Sequence, residues 1–158
     1  MTNERQSALR RLQKELDEIK SSPPVEVMVG PIDDNNLFQW EGILNGPEDS
    51  PYSGGVFKFV MNFSNEYPMK APVVRFTSKL YHPNISINGQ ICVDILQKKW
   101  SSAYTISQVM IAISSLLTDP NPDSPLNAES AQVYKTNRNL FNKRVREWVR
   151  KYASPENL

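Results

Sequence analysis

Short β-like runs joined only by turns occupy residues 25–77, and this arrangement limits the folds open to the chain. The runs are VEVMV at 25–29, LFQWEGIL at 37–44, VFKFVMNF at 56–63 and VVRFT at 73–77. Each run is bounded by Pro, Gly, Asn or Asp, the residues that favour turns. Successive strands with only turns between them predict a four-stranded antiparallel meander.

Helical patterns flank the predicted sheet. Before it, apolar residues recur at helical spacing from Ala8 to Ile19, and SSPP at 21–24 ends this amphipathic helix. After it, Thr105 and Gln108 have the spacing of a capping box at the start of an apolar helix. That helix is expected to be buried, because most of its residues are apolar.

The rest of the chain completes an α+β pattern. DPNPDSP at 119–125 ends the capped helix, and two further helices are predicted at about 127–136 and about 137–152. No repeat or linker interrupts the sequence. We therefore predict a single domain over residues 1–158, with an N-terminal helix, an antiparallel meander, a long loop and three C-terminal helices.

The long loop, residues 78–104, follows neither the strand period nor the helix period, which is unusual in a compact domain unless the loop is functional. It contains the only histidine, His82, and the only cysteine, Cys92. Cys92 is either a nucleophile or a small packed hydrophobe. His82 is a brace for a turn, a catalytic base or a surface residue, and Asn84 is a turn former or an oxyanion donor. The residues alone leave these alternatives open.

Charge and cysteine content narrow the possible functions. The 18 basic and 17 acidic side chains leave a formal net charge of +1, so no whole-molecule field attracts nucleic acid or anionic lipid. No apolar run approaches the roughly 18 residues of a membrane span, and the N-terminal segment lacks the features of a signal peptide. One cysteine cannot form an intramolecular disulfide, which favours a reducing compartment. We expect a cytoplasmic or nuclear protein with no nucleic-acid or membrane partner.

Metal binding is not predicted either. One cysteine and one histidine fall short of the four ligands that a structural metal site usually has. The sequence therefore predicts neither a metal ion nor a cofactor.

Five segments occur together in an order that resembles one family. They are GPEDSPYSGGVF at 46–57, YPMKAP at 67–72, YHPNISINGQICVDIL at 81–96, WSSAYTIS at 100–107 and DPNPDSPL at 119–126. Together they closely resemble the ubiquitin-conjugating enzymes, most nearly the short single-domain type, from about Ala8 to Tyr152. The His-Pro-Asn triplet ahead of a cysteine is the most specific element.

The resemblance implies both the fold predicted above and a transferase activity. Cys92 would accept ubiquitin from an ATP-using activating enzyme as a thioester, then pass it to a lysine or to a ligase cysteine. Asn84 would stabilise the oxyanion or hold the loop that does so, and His82 would brace the loop. No dedicated base is needed, because a free thiol is a few per cent thiolate near neutral pH and ubiquitin arrives already activated.

Discharge to lysine is harder, because the amine must first lose a proton. The family often has an acidic residue near the thioester for this purpose, but the matching position here is Ser124, a departure that leaves no carboxylate there unless phosphorylation restores the negative charge. Asp94, two residues beyond Cys92, is a second candidate for electrostatic support.

Partner contacts are also implied by the resemblance. Ligases of the RING type, and of the HECT type as a further class, would contact the first helix and two loops, at positions Arg11, Met69, Ser101 and Ser102. Met69 stands where phenylalanine is frequent, and Ser102 where proline is frequent. Thioester-linked ubiquitin would fold against Ile111 and Ser115.

Three alternatives compete with ubiquitin conjugation. The first is conjugation of another ubiquitin-like modifier, but the SUMO branch has extra residues between the cysteine and the tryptophan that matches Trp100, and this chain lacks them. The second is a non-catalytic binding adaptor of the same fold, which would lack Cys92. The third is an unrelated thiol hydrolase, which would need a histidine base when the only histidine belongs to the His-Pro-Asn triplet.

Overall fold

The computed structural model describes residues 3–158 and shows the predicted α+β architecture. Its helices and strands are α1 Asn3–Ser21, β1 Val27–Asp33, β2 Asn36–Asn45, β3 Val56–Asn62, β4 Val73–Phe76, α2 Ile106–Thr118, α3 Ala128–Thr136 and α4 Arg138–Tyr152. Two short 3-10 turns, Asp94–Leu96 and Pro155–Asn157, lie outside these elements. Within the described residues, none of the helices is long and apolar enough to cross a membrane.

The four strands form one antiparallel sheet in chain order, which confirms the predicted meander. In β3 the side chains of Phe57, Phe59 and Met61 are buried, while those between them are partly exposed. Because the side chains alternate between the two faces of the sheet, one face points towards the core. Trp40 of β2 lies opposite Met61 and is fully buried, so neighbouring strands contribute to one apolar layer.

The first strand, β1, differs from its predicted bounds. It begins only at Val27, because Glu26 has a positive φ of 64° that belongs to a turn, and it continues through Gly30 and Pro31 to Asp33. Proline is a poor strand residue because it cannot donate to a sheet ladder. β1 is an edge strand that pairs with β2 alone, and edge strands tolerate proline. The edge position of β1 therefore explains why the strand continues through Pro31, a residue that usually ends a strand.

The helices bury the apolar faces that their spacing predicts. In α1 the buried apolar residues are Ala8, Leu12, Leu16 and Ile19, and in α2 they are Ile106, Val109, Met110, Ile113 and Leu117. All of these belong to the same core cluster as the strand residues. The capping box is present at the start of α2, since the Thr105 side chain accepts from the Gln108 amide at 3.2 Å and the Gln108 side chain accepts from the Thr105 amide at 2.9 Å.

One charged residue, Glu15, lies on the buried side of α1 with an exposure of only 2%. Its Oε1 accepts a hydrogen bond from the backbone amide of Ile106, the first residue of α2, at 2.7 Å. Its Oε2 accepts from the Tyr67 hydroxyl and from Arg11 Nε. Burial, followed by the contact with Glu15, raises the pKa of Tyr67, so its hydroxyl remains a donor. This carboxylate therefore joins α1, the turn at Tyr67 and the start of α2.

Replacing Glu15 with alanine is expected to lower the free energy of unfolding by about 3 kcal/mol, because three donors lose a buried acceptor. Urea unfolding followed by tryptophan fluorescence measures this change. Glu18→Ala is the matched control, since Glu18 is exposed on the same helix, and its effect is expected to stay within about 0.5 kcal/mol. Equal losses in the two variants would contradict the assigned role of Glu15.

Candidate active site

The loop between β4 and α2 is held by isolated backbone bridges instead of regular elements. Ile85 bridges to both His82 and Ile91, so the chain doubles back upon itself. Gly89 makes the turn possible, because it has a φ of +87° and a Cβ there would lie 1.8 Å from the carbonyl oxygen of Phe76. The segment that leads to the cysteine is thus packed closely against the end of β4.

Cys92 follows this turn and lies between two buried neighbours, Ile91 and Val93. Its backbone amide donates to the carbonyl of Asn84 at 2.9 Å, while its side chain is partly exposed. The 3-10 turn Asp94–Leu96 brings Gln97 back towards it, and the Cys92 thiol donates to Gln97 Oε1 across 3.8 Å. The backbone of Cys92 is therefore fixed while its sulfur remains accessible.

His82 is fully buried and hydrogen-bonded through both ring nitrogens. Its Nδ1 accepts from the backbone amide of Asn84 at 2.9 Å, so Nε2 carries the proton and donates to the carbonyl of Leu116 at 2.7 Å. Burial lowers the pKa of His82 to about 4, against a smaller raising effect of the Leu116 carbonyl. A neutral ring with both nitrogens occupied has the geometry of a brace between this loop and α2.

Asn84 connects the cysteine loop to the segment that follows α2. Its Nδ2 donates to the carbonyls of Asn121 and Ser124 at 2.7 and 3.0 Å, and its Oδ1 accepts from the Asn121 amide at 2.8 Å. The residue is 1% exposed. Of the two roles expected for Asn84, this geometry favours the holding of a loop, because both amide hydrogens are already donated to backbone carbonyls.

Asp94, the candidate for electrostatic support, and Ser124, at the position where the family often has an acidic residue, both lie at the surface. The carboxylate of Asp94 pairs with Lys99 at 3.6 Å, and both side chains are exposed. Ser124 is exposed as well, and Asn84 ties its backbone to the cysteine loop. Among residues 3–158, no group of three or more His, Cys, Asp or Glu side chains is arranged to hold a metal ion.

Comparison with known families gives a match over most of the chain. A family model described as ubiquitin-conjugating enzyme matches residues 11–149 of the 158. The chain belongs to the ubiquitin-conjugating enzyme family. Membership makes it a conjugating-type transferase of the ubiquitin pathway, a type of enzyme that works with ubiquitin, an activating enzyme and ligases.

The positions expected to contact ligases lie on α1 and on two loops that hydrogen bonds connect in this ubiquitin-conjugating enzyme. Arg11 donates from its two terminal nitrogens to the carbonyls of Ser102 and Tyr104 at 2.9 and 2.8 Å. Trp100 Nε1 donates to the carbonyl of Pro68 at 2.9 Å, which ties the second loop to the turn that contains Met69. Arg11 is therefore engaged within the protein, whereas Met69 is 76% exposed.

The remaining predicted positions lie in the loop and on α2. Ser101 is partly exposed and Ser102 is exposed. Ile111 is 62% exposed although α2 is apolar-rich, and Ser115, one helical turn further on, is also exposed. Residues four apart share one face of a helix, so Ile111 and Ser115 form an open patch on this ubiquitin-conjugating enzyme.

Two residues with important contacts were not predicted from the sequence: Gln97 beside Cys92, and Glu15, which is hydrogen-bonded to Arg11. Gln97 gave no signal, since only the 3-10 turn brings it to Cys92. Glu15 did give one, because a charge at the helical spacing of Leu12 and Ile19 falls on the apolar face. A charged residue within an apolar stripe indicates a buried polar contact.

The buried state of His82 predicts a pH dependence. The unfolded chain binds a proton near pH 6.5 that the folded chain does not bind until about pH 4. The contribution of His82 to the free energy of unfolding is therefore fully present above pH 6.5. It falls by up to about 3 kcal/mol as the pH drops towards 4. Nitrogen-15 NMR of the imidazole is unambiguous because the chain has one histidine. Titration of the folded ring near pH 6.5, or an Nδ1-protonated tautomer, would be inconsistent with the brace.

Asn84→Ala is expected to loosen the segment at residues 119–125, because the Asn121 amide loses its acceptor and two carbonyls lose their donor. Hydrogen exchange at Asn121 should become at least about ten-fold faster. Asn84→Asp should also loosen the segment, since it keeps an acceptor but sets a carboxylate against the two carbonyls. Asn88→Ala, an exposed position in the same loop, is the control, and equal exchange in all variants would argue against the link.

Proposed function

We propose that this protein carries ubiquitin as a thioester on Cys92 and transfers it to a lysine or to a ligase cysteine. The supporting observation is the partly exposed Cys92 thiol on a fixed backbone, within the loop that His82 and Asn84 brace. A mobile loop would have to be ordered at each turnover, whereas this one is ordered beforehand. We also propose that residues 1–158 act as one catalytic unit, in the cytoplasm or nucleus.

Loading requires only a thiolate and an activated acyl group. The Cys92 thiolate attacks the carbonyl carbon of the ubiquitin thioester on the activating enzyme, a bond forms to Sγ, and the activating enzyme's thiolate leaves. The bond broken and the bond formed are both thioesters, so the free-energy change of the exchange is close to zero. His82 is not needed as a base, and both its nitrogens are occupied.

Discharge to lysine makes a further demand, because the attacking amine must be neutral. Ser124 brings no charge to this step. Asp94 brings a carboxylate, which Lys99 partly offsets. We propose that Asp94 gives weak electrostatic support and that Ser124 acts mainly through the backbone that Asn84 holds.

We propose that RING-type ligases, and HECT-type ligases as a second class, dock on the two loops that carry Met69 and Ser102, which Trp100 links through its hydrogen bond to the Pro68 carbonyl. Arg11 holds the Ser102 loop in place, and Ser101 lies beside it. Donor ubiquitin would fold against Ile111 and Ser115 during transfer. Met69 and Ile111 are largely exposed, so both side chains are accessible to a partner, as these assignments require.

Incubation with activating enzyme, ATP and ubiquitin should give a covalent adduct that thiol reductant removes, because the bond is a thioester at Cys92. Cys92→Ser should give an adduct that resists reductant, and Cys92→Ala should give none. Gel shift with and without reductant measures all three proteins.

The same assay distinguishes the competing modifiers. SUMO and other ubiquitin-like proteins, each with its own activating enzyme, are tested beside ubiquitin. Loading with another modifier alone would replace the proposed substrate, and a reductant-sensitive adduct that persists in Cys92→Ala would overturn the assignment of the nucleophile. Circular dichroism of each variant confirms that folding is intact.

A further inference from the structure

The side chain hydrogen-bonded to the Cys92 sulfur is Gln97, an exposed residue five positions further along the chain. The 3-10 turn places it there. The Gln97 backbone amide donates to the carbonyl of Asp94 at 3.0 Å, and the Lys99 amide donates to the same carbonyl at 2.9 Å. The start of the Gln97 side chain is thus fixed near Sγ by backbone hydrogen bonds, while its carboxamide can rotate.

Oxyanion stabilisation in this site calls for a donor other than the Asn84 side chain. Attack on a thioester pushes negative charge onto the carbonyl oxygen, and a nearby N–H group that donates to this oxygen lowers the barrier. Asn84 donates both of its amide hydrogens to the carbonyls of Asn121 and Ser124 and is almost fully buried. A carboxamide elsewhere in the site would meet the need without breaking those bonds.

Acylation changes what Gln97 can do. As a free thiol, Cys92 has a proton to donate, and Gln97 Oε1 accepts it across 3.8 Å. A thioester sulfur has no proton, so that hydrogen bond disappears when the enzyme is loaded. The terminal torsion of glutamine is broad, and half a turn exchanges its oxygen for the NH₂ group. In the loaded enzyme the carboxamide can therefore present donors where it previously presented an acceptor.

We propose that Gln97 is a catalytic residue that donates a hydrogen bond to the oxyanion formed during discharge, an inference that rests on the proposed thioester at Cys92. The lysine nitrogen forms a bond to the carbonyl carbon, and the π electrons move onto oxygen, two bonds from Sγ and within reach of the Gln97 amide. The adduct loses the amine proton to water. Collapse then restores the carbonyl, breaks the C–S bond and releases the Cys92 thiolate, which takes up a proton.

Gln97→Met tests this role, because methionine is similar in length and cannot donate. The loaded enzyme is purified and its discharge to free lysine is followed in a single turnover. The maximal rate should fall about ten-fold, less than for a buried donor because water can partly replace an exposed group. The lysine concentration at half-maximal rate and the shape of the pH profile should be unchanged, since Gln97 neither binds the amine nor titrates.

Gln90→Met is the matched control, an identical substitution at an exposed glutamine two residues before Cys92, and it should discharge at the wild-type rate. Gln97→Glu should be slower than Gln97→Met, because a carboxylate repels the oxyanion. Wild-type rates in Gln97→Met would overturn the proposal. A faster Gln97→Glu would also overturn it, since that result assigns position 97 to lysine deprotonation.

Loading is measured first in every variant. This step separates the role of Gln97 from the proposed thioester at Cys92, on which that role rests. If wild-type protein forms no adduct at Cys92 with any modifier, the proposed function fails and the role of Gln97 fails with it. If all variants load normally and only discharge is slowed in Gln97→Met, both proposals are supported. Normal loading with unchanged discharge in Gln97→Met would overturn the role of Gln97 but leave the proposed thioester at Cys92 intact.

Discussion

The hydrogen bond from His82 Nε2 to the carbonyl of Leu116 is the contact on which the arrangement of the active site depends. Carbonyls in the last turn of a helix have no partner within the helix, and here an imidazole from a distant loop supplies one. The other ring nitrogen fixes the backbone of Asn84, whose carbonyl in turn accepts from the Cys92 amide. One buried ring thus links the backbone of Cys92 to α2, and it does so only while the ring is neutral.

Local patterns in the sequence are sufficient for most of the fold. Alternation in β3, the capping box at Thr105 and the prolines after α2 predict elements that the structure contains. The bounds of β1 could not be predicted, because tolerance of Pro31 depends on which strands are neighbours. For the site, the resemblance indicated Cys92, His82 and Asn84, but the residues alone left their roles open. The contact between Gln97 and Cys92 arises from a 3-10 turn that leaves no periodic trace.

The site consists of buried side chains whose hydrogen bonds are satisfied and of exposed side chains that contact solvent. The side chains of His82 and Asn84 are buried and have their hydrogen-bonding groups satisfied, and such networks hold one geometry because any alternative leaves a polar group unpaired. Gln97, Asp94 and Ser124 are exposed, so solvent competes for their contacts. Substitution in the interior should therefore damage structure, whereas substitution at the surface should change rates or partners.

Both edges of the sheet are protected from pairing with another strand. At β1, Pro31 has no backbone N–H to donate, and the pairing irregularity between Pro31 and Asp33 disturbs the regular spacing there. At β4, the cysteine loop covers part of the edge, with Phe76 donating to the carbonyl of Gly89 and Arg75 bridged to Gln90. Open edges are common starting points for aggregation. The turn that positions Cys92 thus also shields part of the β4 edge, so damage to that turn would threaten solubility as well as the geometry around Cys92.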